Sequence, residues 1–147
     1  MTVQDIIQKR IALAETRVTK TVFPETTNHY DTLFGGTALQ WMDEISFIAA
    51  TRFSRQRMVT VSSDKIDFKH PVSVGSIVEL IASVIHVGTT SMKVQVDMYV
   101  ESMYQDGREK AITGTFSFVA IDENKKPAPV MPDCFIENER AAGKSDA

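Results

Sequence analysis

Asn28, His29, the pair Gly35-Gly36 and Asp43 lie within one stretch, TTNHYDTLFGGTALQWMDE, residues 26–44. Asp43 is the unusual member. It falls inside an apolar helical pattern, where the residues three and four away are Leu39, Gln40, Ser46 and Phe47. The next acid, Glu44, neighbours Gln40, Trp41, Phe47 and Ile48. An ionised carboxylate against apolar side chains costs several kcal/mol unless it is paired or hydrogen-bonded. One explanation is a helix acid at an exposed edge or a subunit seam, paired with an arginine. The other is a base or a nucleophile. The glycine pair bears on that choice. Glycine lets a ligand come close to the backbone. The first N–H groups of a helix lack partners within it and sit at its positive end. Together they suit a negative oxygen, such as a carbonyl oxygen that becomes an oxyanion. A tight turn or close packing would also place a glycine pair there. Asn28 offers an amide to such a site or serves as a turn residue. His29 offers a base or is a polar surface side chain.

The whole chain narrows the setting. Its 147 residues suffice for one domain with a core, and its hydrophobic fraction of 43% is that of a globular protein. A net charge of −3 argues against nucleic acid as the main partner. No apolar run approaches the ~18 to 20 residues of a membrane span. The opening residues MTVQDIIQKRIALAE are broken by charges, unlike a secretory signal, so the expected location is the cytoplasm. A single cysteine, Cys134, excludes an internal disulfide and a multi-cysteine metal site, and reads as an inert thiol near the tail.

The elements that must position these residues follow from periodicity. Residues 4–14 predict a short helix with Ile6, Ile7, Ile11 and Leu13 roughly on one face. ETRVTKTVF, residues 15–23, reads as a strand ending at Pro24. The loop of the opening stretch leads into a helix over 36–53. That helix is apolar over most of its circumference, including Leu39, Met42, Phe47, Ile48 and Phe53, so it is expected to be buried on most sides. Strands follow over 58–68, 77–87, 92–103 and 110–121, with turns at 74–76, 88–90 and 105–107. The third alternates cleanly, with Met92, Val94, Val96, Met98 and Val100 on one face. Strands of this length exceed the usual ~5 to 6 residues. Long antiparallel strands wrapped around one helix account for its apolar surface, and the fold class is α+β. There is no internal repeat and no second domain. Residues 1–14 form an N-terminal segment, 15–132 the domain and 133–147 a flexible tail.

Taken together, T-N-H-x4-F-G-G-x4-W-x-D-E resembles the active-site segment of the hot-dog-fold acyl-CoA thioesterases, the group that includes YciA-like and brain-type acyl-CoA hydrolases. VTVSSDKIDFKHPVSVGSIVEL is similar to that family's next strand and turn, HVGTTSMKVQVDMYVES to its central hairpin, and TGTFSFVAIDENKKPAPV to its last strand. The resemblance runs from about residue 15 to 132.

It implies a helix in a curved antiparallel sheet, with two protomers paired edge to edge and commonly a trimer of such dimers. It implies hydrolysis of acyl-CoA to free acid and CoA, with no metal and no cofactor, coenzyme A being part of substrate and product. Asp43 matches the catalytic carboxylate and Asn28 the active-site asparagine, which meet across the dimer interface. The N–H near Gly36 would polarise the thioester oxygen. Substrate would lie along His29, Phe34 and Gly35, with its CoA portion along Gly88, Thr89 and Ser91. Two departures stand out: Asp31 where many relatives have glycine, and Thr89 where several have arginine. Arg55, Arg57, Lys65 and Lys69 are candidate cations for CoA phosphates or plain surface residues. Two other activities fit the architecture. A hydratase or dehydratase would use His29 as its base, and a non-catalytic acyl-binding module would keep Asp43 as a structural acid.

Overall fold

A computed structural model describes residues 2–133, 136–138 and 140–141. Its first helix, α1 (Val3–Ala14), starts at a capping box. Thr2 Oγ1 accepts from the Asp5 N–H and Asp5 Oδ2 accepts from the Thr2 N–H, both at 3.1 Å. These bonds, the backbone one foremost, hold the Asp5 carboxyl below the usual carboxylate range. Ile6 and Ala14 are buried, and Ile7 and Ile11 pack against the core. Leu13, expected on that face, is 60% exposed. The helical turn carries it past the apolar stripe and brings Ala14 inward instead.

Strand β1 (Thr16–Thr21) and the connection 22–34 lead to α2 (Gly35–Ser54), the element that the sequence predicts over 36–53. Arg10 of α1 closes the far end of α2, donating to the Arg52 carbonyl at 2.6 Å and the Phe53 carbonyl at 3.1 Å. The last carbonyls of a helix lack partners within it and carry its negative end, so a guanidinium suits them. Arg55 ends α2 in the left-handed region, at φ 56°.

Strands β2 (Arg57–Phe68), β3 (Ile77–Val87), β4 (Ser91–Glu101) and β5 (Arg108–Ile121) complete one antiparallel sheet, ordered β1-β3-β4-β5-β2. The register puts Val78, Leu80 and Ala82 of β3, Val94, Val96 and Met98 of β4, and Ile112, Phe116 and Phe118 of β5 on one face. That face covers Ala38, Met42, Ile45, Ala49 and Phe53 of α2, and no side chain among all of these is more than 3% exposed. This is the helix-in-sheet arrangement that the resemblance implies.

The sheet covers only the inner side of α2. Phe47 and Ile48, expected to be wrapped, are 44% and 42% exposed. Apolar composition asks for burial without saying by which surface, and here the chain's own sheet does not supply it. The adjoining strand β2 is an edge, with Val59 and Val61 exposed and register shifts after Thr60 and Asp64. The exit segment is tied back by Ser54 Oγ to the Val130 carbonyl (2.7 Å) and the Val130 N–H to the Thr89 carbonyl (2.9 Å). In the tail, residues 133, 136–138 and 140–141 have helical backbone, where the sequence predicts flexibility. Cys134 and residues 142–147 lie outside the described residues. Among the described residues no helix is long and apolar enough to cross a membrane.

Candidate active site

The α2 turn that carries Asp43 faces strand β2 across a cavity of about 510 Å³. Gly36, Leu39, Gln40 and Asp43 line it from the helix, residues 60–63 from β2, and Phe116 from β5. Thr60 pairs with the fully buried Phe118, which sets its side chain on the inner face, toward α2. Its Oγ1 donates to Asp43 Oδ1 at 2.9 Å. No cation pairs with Asp43 among the described residues, and Oδ2 keeps no protein partner there. The neighbouring acid behaves otherwise. Glu44 is exposed and accepts from Gln40 Nε2 at 3.3 Å, an ordinary surface pair one helical turn apart. The two acids that the sequence sets side by side are thereby separated: Glu44 is solvated, while Asp43 is half-buried with one oxygen fixed and one available.

The start of α2 is bare. Its N-cap is Phe34, which makes no side-chain cap, so the N–H groups of Gly35, Gly36 and Thr37 point outward without a partner within the helix. A Cβ at Gly36 would meet nothing within 4 Å, so packing does not demand glycine there. At Gly35 a Cβ would touch the Phe68 ring at 3.6 Å.

Asn28 sits in the preceding loop and is both turn residue and donor. Its Oδ1 accepts from the Tyr30 N–H (2.9 Å), the Thr32 N–H (3.3 Å) and Thr32 Oγ1 (3.1 Å). Those three donors fix the amide's orientation and leave Nδ2, with two hydrogens, unused among the described residues. Asp31 follows at φ 59°, its N–H donating to the Asn28 carbonyl at 3.0 Å and its carbonyl accepting from the Val74 N–H at 2.8 Å. A left-handed residue is needed at this point. Glycine fills it without strain and aspartate is among the few others that tolerate it, so Asp31 keeps the loop that a glycine would make.

The other expected residues lie apart. His29 is exposed and packs on Tyr30, ring centres 3.9 Å apart. Phe34 is 50% exposed at the helix start. Gly88, Thr89 and Ser91 form the β3–β4 turn. There Gly88 is explained by close approach, since a Cβ would lie 3.1 Å from Ser91 Oγ. Ser91 pairs with Val119, the register partner of Val59, so the turn is two strands from β2. Thr60 is the site residue that sequence reading missed. A hydroxyl in MVTVSSDKIDF marks no site by itself. Only the β2 register brings it to Asp43, 17 positions away.

Within one chain these parts do not converge. Gly36 and Asp43 are seven residues apart on one helix, about 10 Å along its axis. A carbonyl held by the Gly36 N–H at about 3 Å is beyond the reach of a group acting at Asp43 of that same helix.

The sequence pattern of the Thioesterase superfamily matches residues 30–105. The uncharacterized acyl-CoA thioester hydrolase YkhA of Bacillus subtilis is 43% identical over 118 residues, covering 79% of this chain and 69% of that protein. Among solved structures, the acyl-CoA hydrolase of Staphylococcus aureus in complex with butyryl coenzyme A, coenzyme A and coenzyme A disulfide superposes with a TM-score of 0.78. It is 29% identical and covers 92% of each chain. That enzyme has also been solved as three alanine variants, of an aspartate, a threonine and an asparagine. A hexameric acyl-CoA thioesterase without ligand superposes with a TM-score of 0.79 at 32% identity, covering 92% of this chain and 91% of the other.

Proposed function

The chain belongs to the thioesterase superfamily as an acyl-CoA thioester hydrolase, and from that premise we propose that two copies share each active site. The exposed stripe of α2 and the open edge of β2 pack against the same surfaces of a second copy across a two-fold axis. Pairing the β2 edges continues the sheet and covers Phe47 and Val61. The seven-residue gap between Gly36 and Asp43 carries this reading. Asp43 and Thr60 come from one copy. The Gly36 N–H and Asn28 Nδ2 come from the other, aimed at the same carbonyl. The hexameric relative supports a further assembly of three such dimers.

The chemistry follows from the groups. A thioester is already activated, so the reaction calls for neither metal nor cofactor. The Gly36 N–H and Asn28 Nδ2 polarise the thioester oxygen and take up the negative charge that develops on it. Thr60 holds Asp43 Oδ1, leaving Oδ2 for the reaction. Asp43 either draws a proton from a water that attacks the carbonyl carbon, or attacks it directly to give a mixed anhydride that water then opens. In either route the carbon–sulfur bond breaks, the CoA sulfur leaves with a proton, and a free fatty acid remains.

A thiol-release assay on a panel of fatty acyl-CoAs tests this function. The expected result is thiol release in step with loss of the thioester. Loss of enoyl-CoA absorbance without free thiol would instead identify a hydratase. Binding with neither change would identify an acyl-binding module.

A further inference from the structure

Between Asp64 and Asp67, strand β2 carries one residue too many opposite β5. Lys65 and Ile66 lie between Asp64 and Asp67, whose partners Thr115 and Thr113 are separated only by Gly114. This is a bulge, and Lys65 takes up the irregularity at φ 51°. The result is to lay the Ile66 side chain over Gly114. A Cβ on Gly114 would overlap Ile66 Cδ1 and crowd Met42 Cε at 3.1 Å. The absent side chain at Gly114 leaves the space that the end of the Ile66 side chain occupies.

What lies on either side of Gly114 gives the contact its meaning. Along the inner face of β5 the order is Phe116, Gly114, Ile112. Phe116 belongs to the Asp43 cavity. Ile112 belongs to a second cavity of about 270 Å³, walled by Leu33, Gly35, Phe68 and Val72, with Lys69 and His70 beside it. Gly114, which Ile66 covers, stands between Phe116 and Ile112 along β5. Of the apolar residues lining the Asp43 cavity, Val61 is beside Thr60, while Leu39 and Phe116 extend toward Ile66. Leu39 is one helical turn before Asp43, and Phe116 is one inward position nearer Gly114 than Phe118, the partner of Thr60. An acyl tail leaving a carbonyl at Asp43 and running along Leu39 and Phe116 would reach Ile66.

We propose that Ile66, seated on Gly114, is the stop that limits the length of acyl chain the enzyme accepts. This rests on the acyl-CoA hydrolase reading above. The substrate limit is then set by a side chain that touches neither Asp43 nor Asn28, and the second cavity is a reserve that the wild-type chain withholds.

The test is kcat/KM across saturated acyl-CoAs from butyryl to palmitoyl, for wild type, Ile66→Val and Ile66→Ala. While the tail gains apolar wall, each added methylene should raise kcat/KM up to about fourfold, and the rise should end where the tail reaches the stop. In Ile66→Ala that end point is expected to move longer by about two carbons or more, with butyryl-CoA hydrolysis kept within about threefold. Ile66→Val should move it in the same direction by less, and decides the matter alone if the alanine variant does not fold. An end point unmoved in a folded variant that still hydrolyses butyryl-CoA would overturn the proposal. Absence of hydrolysis with every wild-type substrate would remove the functional reading and this inference with it, an outcome distinct from hydrolysis with an unmoved limit.

Discussion

Met42 and Asp43 are adjacent in sequence, about 100° apart around one helix, and face different surroundings. Met42, fully buried, faces the sheet among Ala38, Ala49 and Phe53. Asp43 faces the β2 side, where Leu39 and the half-exposed Phe47 continue the stripe. Both sides are rich in apolar residues, yet only the inner one is closed by the chain itself. The inner side is finished structure, closed by the apolar side chains of the sheet. The outer side leaves an apolar surface, an open strand edge, a carboxylate oxygen and a bare helix start. The lesson is that a helix apolar on most of its circumference does not have to be wrapped by its own sheet. On the proposed reading the rest of its burial is left for a second copy, and the chemistry is gathered on that side.

The sharpest contrast is between those two neighbours. Asp43→Ala should lower kcat by ~100-fold or more while the denaturation midpoint stays close to wild type, because the reacting group is lost from an unfinished surface. Met42→Ala should do the reverse, costing about 2–5 kcal/mol of stability through the cavity it leaves. Turnover per folded molecule should change far less. Chemical denaturation and single-turnover rates on the same preparations measure both. A folded Asp43→Ala with near-normal thiol release would end the assignment of that residue.

The next effect concerns assembly. Phe47→Glu places a charge in the apolar surface proposed to meet the second copy and leaves the inner core untouched. Light scattering should show smaller particles, and activity at equal protein concentration should fall by about tenfold or more. Unchanged particle size would mean that α2 does not form the joint.

Much of this division was legible in the sequence. The alternation of Met92 to Val100 and the β-branched run of 77–87 placed the central strands, because each has one face turned to the core and a period of two. Asp43 stood out as an acid in an apolar helix for the same physical reason. What the sequence left hidden depends on register and on the identity of the covering surface. Thr60 meets Asp43 only through the pairing of β2 with β5. Phe47 and Ile48 look as buried as Ile45 until the sheet is seen to stop short of them. The threefold acceptor role of Asn28 Oδ1 depends on the left-handed Asp31, which residue type alone does not announce.

Two smaller effects refine the outer side. Thr60→Ala removes the one hydrogen bond that orients Asp43 and should lower kcat by roughly tenfold, with KM little changed, since the threonine is assigned no contact with substrate. A larger effect on KM than on kcat would place Thr60 against the substrate instead. Asp31→Gly relieves a left-handed side chain and loosens the unfolded chain, two effects of opposite sign. The net should be within about 1 kcal/mol, read as a melting shift of a few degrees at most, and activity within about twofold. A large loss of activity would show that the Asp31 carboxylate, and not only its backbone, serves the site.

The shared site itself is tested most directly by mixing two inactive proteins. Asn28→Asp keeps an oxygen for Tyr30 and Thr32 but removes the amide donor, so it is a cleaner lesion than alanine. It is combined with Asp43→Ala by co-expression or reversible unfolding. In a mixed dimer one site inherits both lesions, while the other joins an intact Asn28 to an intact Asp43. Random assembly makes about half of the dimers mixed, each with one good site of two, so about a quarter of wild-type activity should return. Activity no higher than the average of the two inactive parents, in a preparation shown to contain mixed dimers, would contradict a site built from two chains.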